Sequence, residues 1–124
     1  MMNKGEGYKS LQIYERSYKA AKSIYRLSES FPETERYAIT SQIQRAALSI
    51  PLNIAEGYAK RESQAEFKRF LMMAIGSSNE VSVLLDFVKD LGYIDAEKHS
   101  KASREYEEIS RMLSKFIQRT ESKI

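Results

Sequence analysis

Residues 49–57 read Ser49-Ile50-Pro51-Leu52-Asn53-Ile54-Ala55-Glu56-Gly57, and this stretch decides the fold. Around it Ile39, Ile43, Ala46, Ile50 and Ile54 recur at helical spacing, which makes one apolar stripe on a helix from about Thr34 to Gly57. Thr34 or Thr40 is the candidate N-cap, and Gly57 the candidate stop. Pro51 lies inside the pattern. It lacks a backbone donor and crowds the carbonyl of Ala47, so the reading is a kinked second helix, with two shorter helices meeting near Ser49 as the alternative.

Three more helices follow outward from that block. Residues 1–8 read as a flexible N-terminal tail, and 9–124 as a single domain. A first helix spans about Leu11 to Ser28, with one seam of Leu11, Tyr14, Tyr18, Ala21 and Tyr25 and a neighbouring one of Ile13, Ala20, Ile24 and Leu27. Phe31-Pro32 ends it, because the residue before proline is driven out of the α region. Ser63 with Glu66 forms a capping box for a third helix that runs to about Leu91, closed by Gly92. Asp95 caps a fourth helix running to about Thr120 along Ala102, Tyr106, Ile109, Leu113 and Phe116. The connections are short, so the fold class is all-α: an antiparallel up-down-up-down four-helix bundle with a Pro-kinked second helix.

The third helix is too apolar for a plain bundle. Phe67, Phe70, Ala74, Ser77, Val81, Leu84, Val88 and Leu91 keep a heptad seam, yet Leu71, Met72, Met73, Ile75, Val83, Leu85 and Phe87 lie off it. The surplus predicts a homo-oligomer, with Gly76, Ser77 and Ser78 permitting close helix approach. On the second helix Gln42, Arg45, Ser49, Asn53 and Glu56 share a polar face. It is either a solvated surface or a buried or interfacial network, in which Glu80 pairs with Arg45.

Composition excludes much else. The chain has 124 residues, 42% hydrophobic and 30% charged, without cysteine and with one histidine. This is an ordinary globular balance, with neither disulfides nor thiolate metal sites. No apolar run approaches the ~20 residues of a membrane span, and Met1 to Tyr8 lack the apolar core of a signal peptide. A cytoplasmic protein with no membrane partner is expected. Glu56 and Glu80 invite a di-metal reading, but His99 has no Glu three positions before it, as ferritin-like sites require, and reads as a surface residue. No nucleophile-base pair or glycine-rich phosphate loop is evident, so no enzyme, cofactor or metal is expected.

The residues that carry a resemblance cover about 10 to 118. They are Leu11-x-Ile13-Tyr14, Phe31-Pro32 with Glu35-Arg36-Tyr37, Ser41-Gln42-Ile43 with Arg45-Ala46-Ala47, and the 49–57 block. Glu66-Phe67 with Phe70-Leu71, Ala74-x-Gly76-Ser77-x-x-Glu80 and Leu91-Gly92-Tyr93-Ile94 complete them. Together they resemble the four-helix bundle proteins of the 23S rRNA intervening-sequence type. The resemblance implies a long antiparallel bundle of bacterial origin and no enzymatic activity. A relative is the accessory variability protein of diversity-generating retroelements, a basic homopentamer that binds a reverse transcriptase and nucleic acid, and on this resemblance a pentamer is favoured. The Arg common after Gly57 in such proteins is represented here by Lys60 or Arg61.

Charge suggests where a polyanion would sit. The net charge is +3. Arg16, Lys19, Lys22 and Arg26 fall within about a third of the first helix's circumference. Lys60, Arg61, Lys68 and Arg69 gather around the second connection. Five copies at +3 each would carry +15, a substantial field for phosphates. The expected function is a non-enzymatic, homo-oligomeric scaffold that binds RNA or DNA through these eight residues. The alternative is a protein-interaction module that binds a partner enzyme, such as a reverse transcriptase, without touching nucleic acid.

Overall fold

The computed structural model describes residues 7–121. Residues 1–6, most of the expected tail, lie outside them. The described chain forms α1 (Gln12–Leu27), α2 (Ile39–Ala59), α3 (Gln64–Asp90) and α4 (Ala96–Glu121), with 3-10 turns at Tyr8–Ser10, Ser28–Ser30 and Glu33–Glu35 and no strand. The fold class is all-helical.

The ends of the helices follow local chemistry. Phe31 is extended ahead of Pro32, which stops α1 and its trailing turn. The Ser63 hydroxyl accepts the Glu66 N–H at 3.2 Å, starting α3 as expected. Only half of the capping box forms, because the Glu66 carboxylate turns to Arg69 instead. Gly92 takes φ +82°. It ends α3 in a Schellman motif, with Tyr93 N–H on the Val88 carbonyl and Gly92 N–H on that of Lys89, both at 2.9 Å. Asp95 Oδ1 accepts the Lys98 N–H at 2.8 Å to start α4.

Helix α2 departs from its expected bounds at both ends. It starts at Ile39 rather than near Thr34, and neither Thr34 nor Thr40 caps it, since Ala38 stands at its N-cap. Residues 33–35 form a 3-10 turn instead, tied to the α3–α4 connection by the Tyr93 hydroxyl on Glu35 at 2.7 Å. At the other end Gly57 is not a stop; the helix continues to Ala59. A Cβ on Gly57 would lie 2.9 Å from the Phe70 Cβ and 3.3 Å from the Phe67 ring, so this glycine serves the close approach of α3. Between these ends α2 is one element through buried Pro51, so the reading of two helices meeting near Ser49 does not hold.

Each helix packs on the next, and α1 closes the ring on α4. Contacts run in opposite order along α2 and α3 and along α3 and α4. On α2 and α3, Gln42 meets Glu80, the Ser49 and Ser77 hydroxyls lie 2.6 Å apart, and Gly57 faces Phe67. On α3 and α4, Lys68 meets Glu121, Ser78 meets Ser110, and Asp86 meets His99. The core comes from Ile13, Ala20 and Ile24 of α1, Ile43, Ile50 and Ile54 of α2, Leu71, Val81 and Leu85 of α3, and Tyr106, Ile109 and Leu113 of α4. Thus the Ile13 seam of α1 is buried, while Tyr18 and Tyr25 of the other seam stay exposed.

Helix α3 buries part of its expected surplus in this chain's own core. Leu71 and Leu85, off the heptad seam, are fully buried, whereas Leu91 at the seam's end is 45% exposed because the helix stops there. Ser78, not Ser77, is the fully buried hydroxyl; it accepts from Ser110 and donates to the Tyr106 carbonyl. Met72, Met73, Val83 and Phe87 face outward. By length and composition alone α3 could cross a membrane, but one side of it is packed into the bundle.

Candidate nucleic-acid interface

Helical spacing places Arg16, Lys19, Lys22 and Arg26 on the outside of α1, and the fold turns most of this face toward α4. Arg16 grips Glu105 of α4 with two hydrogen bonds of 2.8 and 3.0 Å. That carboxylate holds the guanidinium charged, raising its pKa above the ordinary arginine value. Lys19 and Arg26 line a cleft of about 730 Å³ between α1 and α4, whose opposite wall carries Lys98 and Lys101. Its floor is apolar: Ala20, Ile24, Leu27, Ala102 and Tyr106. Lys22 lies to the other side, its ammonium 5.7 Å from the Tyr18 ring centre.

The second basic group is not brought to the first. Lys68 pairs with Glu121, which lies about 30 Å along α4 from Lys101 at 1.5 Å per residue. Lys60 pairs with Glu56 at 3.5 Å and lies over the Phe70 ring. Arg61 donates to the Tyr58 carbonyl and stacks 4.0 Å from that ring's centre. Arg69 holds Glu66 in a pair of hydrogen bonds, which lowers the carboxylate's pKa and raises its own.

Five of the eight expected phosphate contacts therefore already face a carboxylate, counting Lys19 on Glu15. Such exposed pairs are weak, about 0–1 kcal/mol each, and phosphates can compete for the cations. Arg26, Lys98 and Lys101 make no ion pair among the described residues. Lys98 and Lys101 escaped the sequence reading because they sit on α4, and only the closure of α1 against α4 sets them opposite Arg26.

The polar stripe of α2 divides. Gln42, Arg45, Ser49 and Glu80 line one surface groove with Tyr37 and Ser41. Arg45 and Glu80 form no ion pair; the Gln42 amide, at 3.4 Å, takes the Glu80 carboxylate instead. Asn53 is half-buried, its amide on the Ser49 carbonyl at 2.8 Å. Glu56 points out to Lys60. The stripe is thus half interhelical contact and half solvated surface.

His99 lies partly buried at the surface, bridging α3 and α4. Its Nε2 lies 2.7 Å from Asp86 and 3.2 Å from the Ser103 hydroxyl. Both partners meet the same ring nitrogen, so the trio cannot relay a proton as a Ser-His-Asp triad does. Among the described residues, no three Asp, Glu or His side chains gather as a metal cage.

The architecture has solved counterparts. The chain is similar to a protein of unknown function of the S23 ribosomal protein family from Bacteroides thetaiotaomicron VPI-5482, at 26% identity, with a TM-score of 0.75 over 85% of this chain and 97% of that one. No curated protein matches. The family description for 23S rRNA-intervening sequence proteins matches residues 9–115, nearly the whole described bundle, and the chain belongs to that family.

Proposed function

We propose that the protein is a non-enzymatic, homo-oligomeric helical scaffold that holds RNA or DNA by its phosphates. One observation carries this reading: the bundle's two unusual surfaces lie on opposite sides. The α1–α4 seam carries Arg26, Lys98 and Lys101, which make no ion pair among the described residues. Helices α2 and α3 lie across the ring of helices from it and carry the exposed apolar residues Leu48, Leu52, Met72, Met73, Val83 and Phe87. An apolar surface of this kind is expected to be covered by protein. Copies joined there leave the basic seams facing out, where their fields add. The pentameric state and the cytoplasmic, bacterial setting belong to the same proposal and rest on family resemblance.

The test is an anisotropy titration of single-stranded RNA, structured RNA and duplex DNA at low and high salt. Binding should weaken with a log–log slope of about −0.7 to −0.9 per phosphate neutralised, with little sequence preference. Reversing Lys19, Lys22 and Arg26 to Glu should abolish binding and leave the helical signal intact. If the native protein binds no nucleic acid even at low salt, the α2–α3 surface instead supports an interaction module for a partner protein.

A further inference from the structure

We propose that the α1–α4 cleft is a nucleotide pocket, taking one unstacked base on its apolar floor and that nucleotide's phosphate on Arg26, Lys98 and Lys101. The inference rests on the nucleic-acid reading and adds to it a site, a strand preference and a stoichiometry of one nucleotide per cleft. Two features argue for it together.

The first is size. About 730 Å³ lies within the ~300–1,000 Å³ of small-molecule sites. The floor from Ala20 to Leu27 runs about 10 Å along the helix axis, which suits a heterocycle and is short for a long acyl chain. The second is charge. Cations stand on both walls, and Arg26, Lys98 and Lys101 need not give up a carboxylate to receive a phosphate. Of the two acids in the lining, Glu29 and Glu105, the second is already neutralised by Arg16.

A base inside a duplex cannot enter the cleft without leaving its stack, so the pocket selects single strands. The same chemistry is offered by a free mononucleotide and by a nucleotide within a strand. The experiment separates them. Labelled single-stranded RNA, the matching duplex and the four nucleoside 5′-monophosphates are titrated into the intact protein and into two variants. Ala102→Leu fills the cleft; Lys98→Ala with Lys101→Ala alters only exposed side chains. Circular dichroism checks that each variant remains helical.

The expected result is a loss of roughly ten-fold in single-strand affinity in Ala102→Leu, with duplex affinity unchanged. Backbone amide shifts on adding monophosphate should map to Ile24, Leu27 and Ala102 and vanish in the double lysine variant. Monophosphates binding as tightly as the strand would leave the pocket standing and make the free nucleotide its ligand. If the ratio of single-strand to duplex affinity is the same in both variants as in the native protein, and monophosphates shift nothing in the cleft, the pocket is wrong while phosphate binding stands. If no nucleic acid and no monophosphate binds, both proposals fall together.

Discussion

At the scale of single residues, two positions turn opposite ways from what local rules suggest. Glycine inside a helix is ordinarily costly, and alanine in its place gains up to about 1 kcal/mol. At Gly57 the added Cβ would meet Phe70 Cβ at 2.9 Å, so Gly57→Ala is expected to destabilise by about 1–3 kcal/mol. A urea titration gives the sign; a higher midpoint would mean that α2 and α3 can separate freely there. Tyr106 is the second case. Burial, with a smaller contribution from the Glu105 charge, pushes its pKa far above that of an ordinary tyrosine. The folded state therefore keeps this proton while the unfolded chain loses it near pH 10. The stability tied to it is full below that pH and falls as pH rises beyond it. In an absorbance titration of the eight tyrosines, Tyr106 should ionise only as the helical signal is lost. Ionisation in the native state would show that water reaches its hydroxyl.

Caps and bounds are argued at the scale of the element. Asp95 is exposed and accepts the Lys98 N–H, so Asp95→Ala removes a cap with little packing. The expected cost is about 1 kcal/mol, read as a lower urea midpoint with an unchanged slope. An unchanged midpoint would mean that Asp95 does not anchor α4. The starts of α3 and α4 were legible in Ser63 and Asp95 because a cap is a contact within three residues. The ends of α2 were not. Its start is displaced by a 3-10 turn that Tyr93 holds from the α3–α4 connection, and its glycine serves a neighbouring helix. Those forces come from residues 10, 13 and 58 positions away, on other elements of the fold and outside the pattern of α2 itself.

For the whole molecule, the decisive question is what covers the outer face of α2 and α3. Val83 is 66% exposed and Phe87 51% exposed. Replacing both Val83 and Phe87 with Glu should convert a species of several times 14.3 kDa into monomers in light scattering. Helicity should survive, since neither side chain enters the core. A native protein already monomeric at micromolar concentration would remove the scaffold reading. By itself the sequence determined the number of helices, two caps, the glycine that closes α3 and an excess of apolar residues on that helix. It could do so because helical period and capping are properties of neighbouring residues. Only the tertiary structure decided which polar residues of α2 face a partner helix and that most of the expected phosphate contacts sit beside carboxylates. It alone set Lys98 and Lys101 across from Arg26. Those facts depend on which helix packs beside which and at what register, which is fixed by the fit of whole faces rather than by any one stretch of chain.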